Sequence, residues 1–199
     1  MRSDAGPWGS REFLSAYISG YADGEGCFTV SISPRAKLLA GWEVRPSFSV
    51  SQNGDRAEVL HALQAYFGCG SIRPDRSDKT LKWETRRLED LLDRVIPHFE
   101  RYPLLSGKTL DFERFAAVCR LQAAGAHRTR AGLIDIVELV RGMNPSGKRR
   151  YNAEAILMQL RQGEGIVCAS GNRGITRSSD LHEWRNDLGA VSTRDPVKL

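Results

Sequence analysis

The stretch from Phe13 to Phe28 (FLSAYISGYADGEGCF) narrows the folds open to this chain more than any other, because its periodicity changes within a few residues. Up to about residue 24 it reads as an amphipathic helix. From Phe28 onward Phe28, Val30 and Ile32 alternate with Thr29, Ser31 and Ser33, which is the period of a half-buried strand. A helix over about 12–24 must therefore feed directly into a strand over about 26–34. Two acids, Asp23 and Glu25, are interleaved with glycines at that junction. Glycine there permits left-handed or closely packed backbone and leaves the neighbouring carboxylate poorly shielded. The C-terminal end of a helix carries partial negative charge, so a carboxylate parked on it needs a cation. Such a junction is a place to hold a divalent metal.

The rest of the chain alternates the same two periods. A second strand is expected over 43–52. Asp55 can cap a helix that runs to Phe67 and is stopped by Gly68 and Gly70. Strands near 70–74 and 80–86 flank the turn-like Pro74-Asp75-Arg76-Ser77-Asp78. Helices follow over about 87–96, 108–123 and 129–143. The order is αββαββα with additional C-terminal helices, an α+β arrangement in one domain over 12–162. Residues 1–11 read as an extension. Residues 163–199, rich in Gly, Ser and Asn, read as a poorly ordered tail with one short helical stretch at 180–188.

Residues Ile18 to Gly26 resemble the nine-letter LAGLIDADG signature of the homing endonucleases: Gly20, Asp23 and Gly26 are identical, and Glu25 replaces the last Asp. Further blocks resemble single-motif members in order: Phe48–Gln52, Gly68–Ile72, Ile96–Phe99, Tyr102–Leu105, Glu138–Asn144 and Gly147–Arg150. Ala131-Gly132-Leu133-Ile134-Asp135 spells part of the motif's name, but it lacks the acid-and-glycine ending and reads as a core helix. One motif per chain implies a homodimer.

The resemblance implies a curved antiparallel sheet riding in the DNA major groove, helices behind it, and site-specific cleavage of a long, partly palindromic double-stranded target. Mg²⁺ or Mn²⁺ would be held by Glu25 and the Gly24 carbonyl. Gln52 and Arg56 stand where relatives order active-site water. Lys108 lies where the family often supplies a lysine, although Ser106 competes with it for that position. Ser19, Gly20, Asp23 and Gly24 fall on the expected dimer helix, with Asp23 capping the partner's helix. Two other functions share the fold: an intron RNA-splicing maturase, and a DNA-binding regulator without catalysis.

Strand alternation assigns the DNA-facing set. With Phe28, Val30, Ile32, Phe48 and Val50 turned inward, Thr29, Ser31, Ser33, Glu43, Arg45, Ser47 and Ser49 face outward, with Arg35 and Lys37 in the connecting loop. In the second hairpin Arg73, Arg76, Lys82, Glu84 and Arg86 form the polar set. A cluster at Lys148-Arg149-Arg150, joined by Arg141, adds positive charge.

Composition agrees. The net charge is +5 over 199 residues, and only six of the 29 basic residues are lysine. Arginine reads phosphate and guanine edges bidentately, although a GC-rich genome produces the same bias. Four scattered cysteines form no CxxC pair, and the histidines lack metal-ligand spacing. With no signal-peptide core and no apolar run of membrane length, the chain reads as soluble and intracellular.

Overall fold

In a computed structural model, α1 (Arg11–Glu25) passes into β1 (Gly26–Pro34) without a loop. The structure describes residues 10–75, 80–145 and 151–162. The Ser10 hydroxyl accepts from the Phe13 N–H and caps the start of α1. At the other end the Gly26 N–H donates to the Ala22 carbonyl. A Cβ on Gly26 would stand 2.6 Å from that same oxygen, so a side chain there would block the exit from helix to strand.

β1 pairs with β2 (Trp42–Asn53), β2 with β4 (Thr80–Thr85), and β4 with β3 (Ser71–Pro74), all antiparallel, in the order β1-β2-β4-β3. The register sets Phe28 opposite Phe48, and Val50 opposite Trp83. Alternation buries Phe28, Val30, Ile32, Trp42, Val44, Phe48, Val50 and Trp83 on one face. Helices α2 (Glu58–Phe67), α3 (Leu88–Asp90), α4 (Ile96–Arg101), α5 (Lys108–Ala123), α6 (Arg130–Arg141) and α7 (Ala153–Gln162) complete the fold. Phe28 and Phe48 stack at 4.6 Å, and Phe99 meets both edge-on at 5.3 Å, a favourable ring geometry at the centre of the core. Gly70 (φ +77°) anchors the second hairpin: a Cβ there would fall 2.6 Å from Trp83 Nε1, which donates to the Cys69 carbonyl.

Two local expectations are corrected. Asp55 does not cap α2; it lies in a 3-10 turn over Gly54–Arg56, and α2 begins at Glu58 with no side-chain cap. The helix expected to end at 96 continues through Pro97 to Arg101. A π turn over Leu91–Val95 lets the Ile96 N–H reach the Leu91 carbonyl, and Pro97 enters at the start of α4, where its missing N–H costs little. The α6 segment is an amphipathic core helix, as expected, burying Gly132, Leu133, Ile136, Val137 and Val140. The expected N-terminal extension lies almost wholly outside the described residues, as do the tail, Arg76 and Lys148–Arg150. Among the described residues no helix is long and apolar enough to cross a membrane.

A buried polar network joins α1 to α2 and α4. His98 Nε2 meets the Ser19 hydroxyl at 3.1 Å and Nδ1 meets the Tyr66 hydroxyl at 2.9 Å. Tyr66 in turn meets Ser15 at 2.7 Å, and Ser19 donates to the Tyr102 carbonyl. Burial lowers the His98 pKa from 6.5 to about 4. Above the ordinary value both folded and unfolded His98 are neutral, so it adds no pH dependence. Between pH 6.5 and 4 the unfolded chain takes up a proton that the fold refuses, and stability falls with pH. The full loss is about 3 kcal/mol. The urea midpoint should therefore decline from pH 6.5 to 5, and His98→Asn should flatten that limb.

Candidate functional site

The site grows from the C-terminal end of α1. Glu25 is its last residue and is exposed, with β1 leaving immediately behind it. The negative end of the helix receives a cation from within the chain: Lys108 Nζ donates to the carbonyls of Ala22 (3.0 Å), Gly24 (3.3 Å) and Gly26 (2.8 Å). The Gly24 carbonyl expected on a metal also accepts from Lys108, at the longest of the three distances. Of the two candidates for the lysine position, Lys108 reaches the backbone carbonyls at the α1 end, and Ser106 reaches the Asp23 carboxylate.

Ser106 and Asp23 set that reach. Asp23 accepts from the N–H groups of Leu105 (3.0 Å) and Ser106 (2.9 Å) and from the Ser106 hydroxyl, while Ser106 Oγ accepts from the Lys108 N–H. Partial burial works against the charged form, but the Ser106 and Leu105 donors and the Lys108 charge outweigh it and hold the Asp23 carboxyl below its usual range. Asp23 therefore braces the start of α5 in its own chain.

Gln52 is tied to α1 through Tyr21, a residue the sequence did not single out. Its amide donates to the hydroxyl of Tyr21, one helical turn before Glu25, and its Oε1 accepts from the Asn53 N–H at 2.7 Å. The signal available in sequence was the i, i+4 spacing of Tyr21 and Glu25. Arg56 stands exposed in the 3-10 turn beyond β2 and is not drawn into this cluster.

The residues expected on a dimer helix divide. Gly20 and Gly24 are exposed, and a Cβ on either would meet nothing within 4 Å. Phe13 (65% exposed) and Tyr17 (47%) extend the same stripe. Ser19 is corrected: it lies on the opposite face of α1, buried against His98 and Tyr102.

On the outer face of the sheet, Ser31, Arg45, Arg73 and Arg86 are exposed, and Thr29, Ser33 and Lys82 are half-buried; Arg35 and Lys37 are exposed at the first hairpin. Ser47 and Ser49 hold their expected side but are buried, which corrects their assignment as contacts. Both are short hydroxyls on a central strand: Ser47 is tied to Thr29 at 2.8 Å, and Ser49 sits between Cys27 and Glu84. Glu84 is likewise corrected, being 7% exposed beneath Arg73 and Arg86. Burial would raise its carboxyl, but the two guanidiniums hold it below the usual range. Glu43 orients Arg35 and Arg45 in the same way, and Arg45 is the main cause of its lowered pKa. Each of these arginines keeps donors beyond those spent on its carboxylate. Arg141 pairs with Glu138 and Glu154, a setting that joins α6 to α7.

Among the described residues no group of three or more His, Cys, Asp or Glu side chains could hold a metal. Within one chain Glu25 is the carboxylate that remains for one, since Asp23 is committed to α5. The chemistry of that exposed carboxylate fits a hard cation, which takes oxygen ligands and draws its remaining ones from water and phosphate.

The exposed acid at the end of α1 and the arginine-lined outer face of the sheet are the two features that bear on the class of protein. The LAGLIDADG endonuclease family profile matches residues 18–119, over half of the chain, and the chain belongs to that family. It is 32% identical to the homing endonuclease I-ApeII of Aeropyrum pernix over 72% of this chain and 88% of that protein. It is 35% identical to a probable intron-encoded endonuclease of Neurospora crassa, covering 77% of this chain and 32% of that longer protein. Among solved structures, I-LtrWI bound to target DNA superposes with a TM-score of 0.68 at 30% identity, over 86% of this chain and 55% of that one. The chain thus spans about a third of the Neurospora relative and just over half of I-LtrWI.

Proposed function

We propose that the chain is a homodimeric, divalent-metal-dependent endonuclease that cuts a specific double-stranded DNA site. The observation that carries this reading is the end of α1, where open backbone at Gly20 and Gly24 leads to an exposed carboxylate at Glu25. Two copies packed along that face set two Glu25 carboxylates side by side on a two-fold axis. Mg²⁺ or Mn²⁺, when bound, supplies Lewis-acid stabilisation of the phosphate and lowers the pKa of its water. The chain's own residues do the rest. Glu25 holds the cation, Lys108 offsets the negative helix end beside it, and Gln52 orients water on the side of the attacked phosphate. The arginine-lined sheet faces the major groove, where base edges distinguish all four pairs.

Binding and cleavage profiles over randomised sites test the sheet. Arg45→Ala and Arg73→Ala should each cost about 1–3 kcal/mol if they read a base, and should relax preference at one position mirrored in both half-sites. Lys82→Ala, as a phosphate contact, should weaken all sequences alike and reduce the salt slope by about one unit. Unchanged affinity, salt slope and preference in all three would remove the sheet from the DNA interface.

A further inference from the structure

We infer that Tyr21 is a positioning residue for the cleavage reaction, its hydroxyl fixing the Gln52 amide in one orientation one helical turn before Glu25. The inference rests on the reading of the α1 end as the cleaving site. Asn53 N–H can only donate, so the Gln52 oxygen must lie on its side, 2.7 Å away. That leaves Nε2 pointing at Tyr21, whose oxygen must accept. The usual ambiguity of an amide is thereby removed from both ends. The Tyr21 proton then points away from Gln52, and among the described residues the second Nε2 proton has no acceptor. Gln52 can offer that proton to a water or a phosphate oxygen from a fixed direction.

The brace is itself held. The Tyr21 ring stacks on Tyr17 with centroids 6.0 Å apart, and its side chain leaves α1 on the same face as Glu25, one turn earlier. Burial first, then the nearby Glu25 charge, holds the phenol above its ordinary pKa against the Gln52 hydrogen bond, so it stays protonated near neutral pH. The hydroxyl therefore serves as a fixed acceptor. A phenylalanine keeps the ring stack and core contacts but leaves Gln52 Nε2 without its acceptor.

The test combines Tyr21→Phe with Gln52→Ala. Single-turnover cleavage by Tyr21→Phe should fall roughly 10-fold, the size of one lost positioning hydrogen bond, with DNA affinity and dimerisation unchanged. The double variant should be no slower than Gln52→Ala alone, because both act through one group. In the free protein the side-chain amide NMR signals of Gln52 should shift in Tyr21→Phe. Wild-type cleavage by Tyr21→Phe, or losses that multiply in the double variant, would overturn the assignment. So would unmoved Gln52 amide signals, and that arm needs no cleavage. If the unaltered chain cut no DNA, the endonuclease reading would fall while the amide signals still decided whether Tyr21 holds Gln52.

Discussion

Glu25→Gln should leave DNA binding intact and reduce cleavage about 10²–10³-fold, the effect expected when a metal's charge stabilisation of roughly 3–4 kcal/mol is lost. The amide keeps the shape of the carboxylate and gives up its charge, so a hard cation loses the ligand it needs most. Folding should be unaffected, since Glu25 is exposed at the end of α1 and exposed substitutions of this kind lie within about 0.5 kcal/mol. The Lys108 contacts also survive, because they are made to backbone carbonyls rather than to the Glu25 side chain. With Asp23 spent on Leu105 and Ser106, no neighbouring acid in the same chain stands ready to replace it. Binding measured in Ca²⁺ and single-turnover cleavage measured in Mg²⁺ separate the two quantities. Near-normal cutting by Glu25→Gln would remove Glu25 from the chemistry.

The framework was legible because periodicity reports which way side chains point. The change from helical to alternating spacing at Gly26 located both the element boundary and the acid. Alternation correctly turned Phe28, Val30, Ile32, Phe48 and Val50 inward. What it could not show is burial on the outward side: Ser47 and Ser49 lie on that side yet are buried, Ser47 tied to Thr29 and Ser49 opposite Cys27 and Glu84. Nor can one chain's spacing separate two small-residue faces of a helix, and Ser19 fell on the inner one. The pairings that build the site join distant parts of the chain. Lys108 meets carbonyls more than 80 residues earlier, and Gln52 meets Tyr21 across 31 positions. Such contacts depend on the angle at which α1 leaves the sheet, which no local pattern encodes. Pro97 misled for a related reason, since a π turn supplied the room that a regular helix denies it.

With two copies packed along α1 as proposed, Gly20→Leu should yield a folded monomer and abolish double-strand cleavage. Large apolar side chains seldom stand exposed in a row without a partner, yet Phe13 and Tyr17 do so on the face that Gly20 and Gly24 continue. Small residues let two helix backbones approach closely, and a leucine on each copy would hold them apart. The two Glu25 carboxylates would separate with them, so cleavage should be lost together with association. The sign of the stability change makes the test discriminating. No atom of the same chain lies within 4 Å of a Cβ at Gly20, so leucine meets no steric resistance in the monomer. Exchanging a mid-helix glycine for leucine should instead stabilise the isolated chain by roughly 0.5–1 kcal/mol. Sedimentation equilibrium at micromolar concentration, with urea unfolding of the same sample, reads both effects. The expected result is a monomer that unfolds at no lower urea concentration than dissociated wild type and cuts neither strand. A Gly20→Leu chain that remained dimeric and cut its site normally would place the dimer contact elsewhere than along α1.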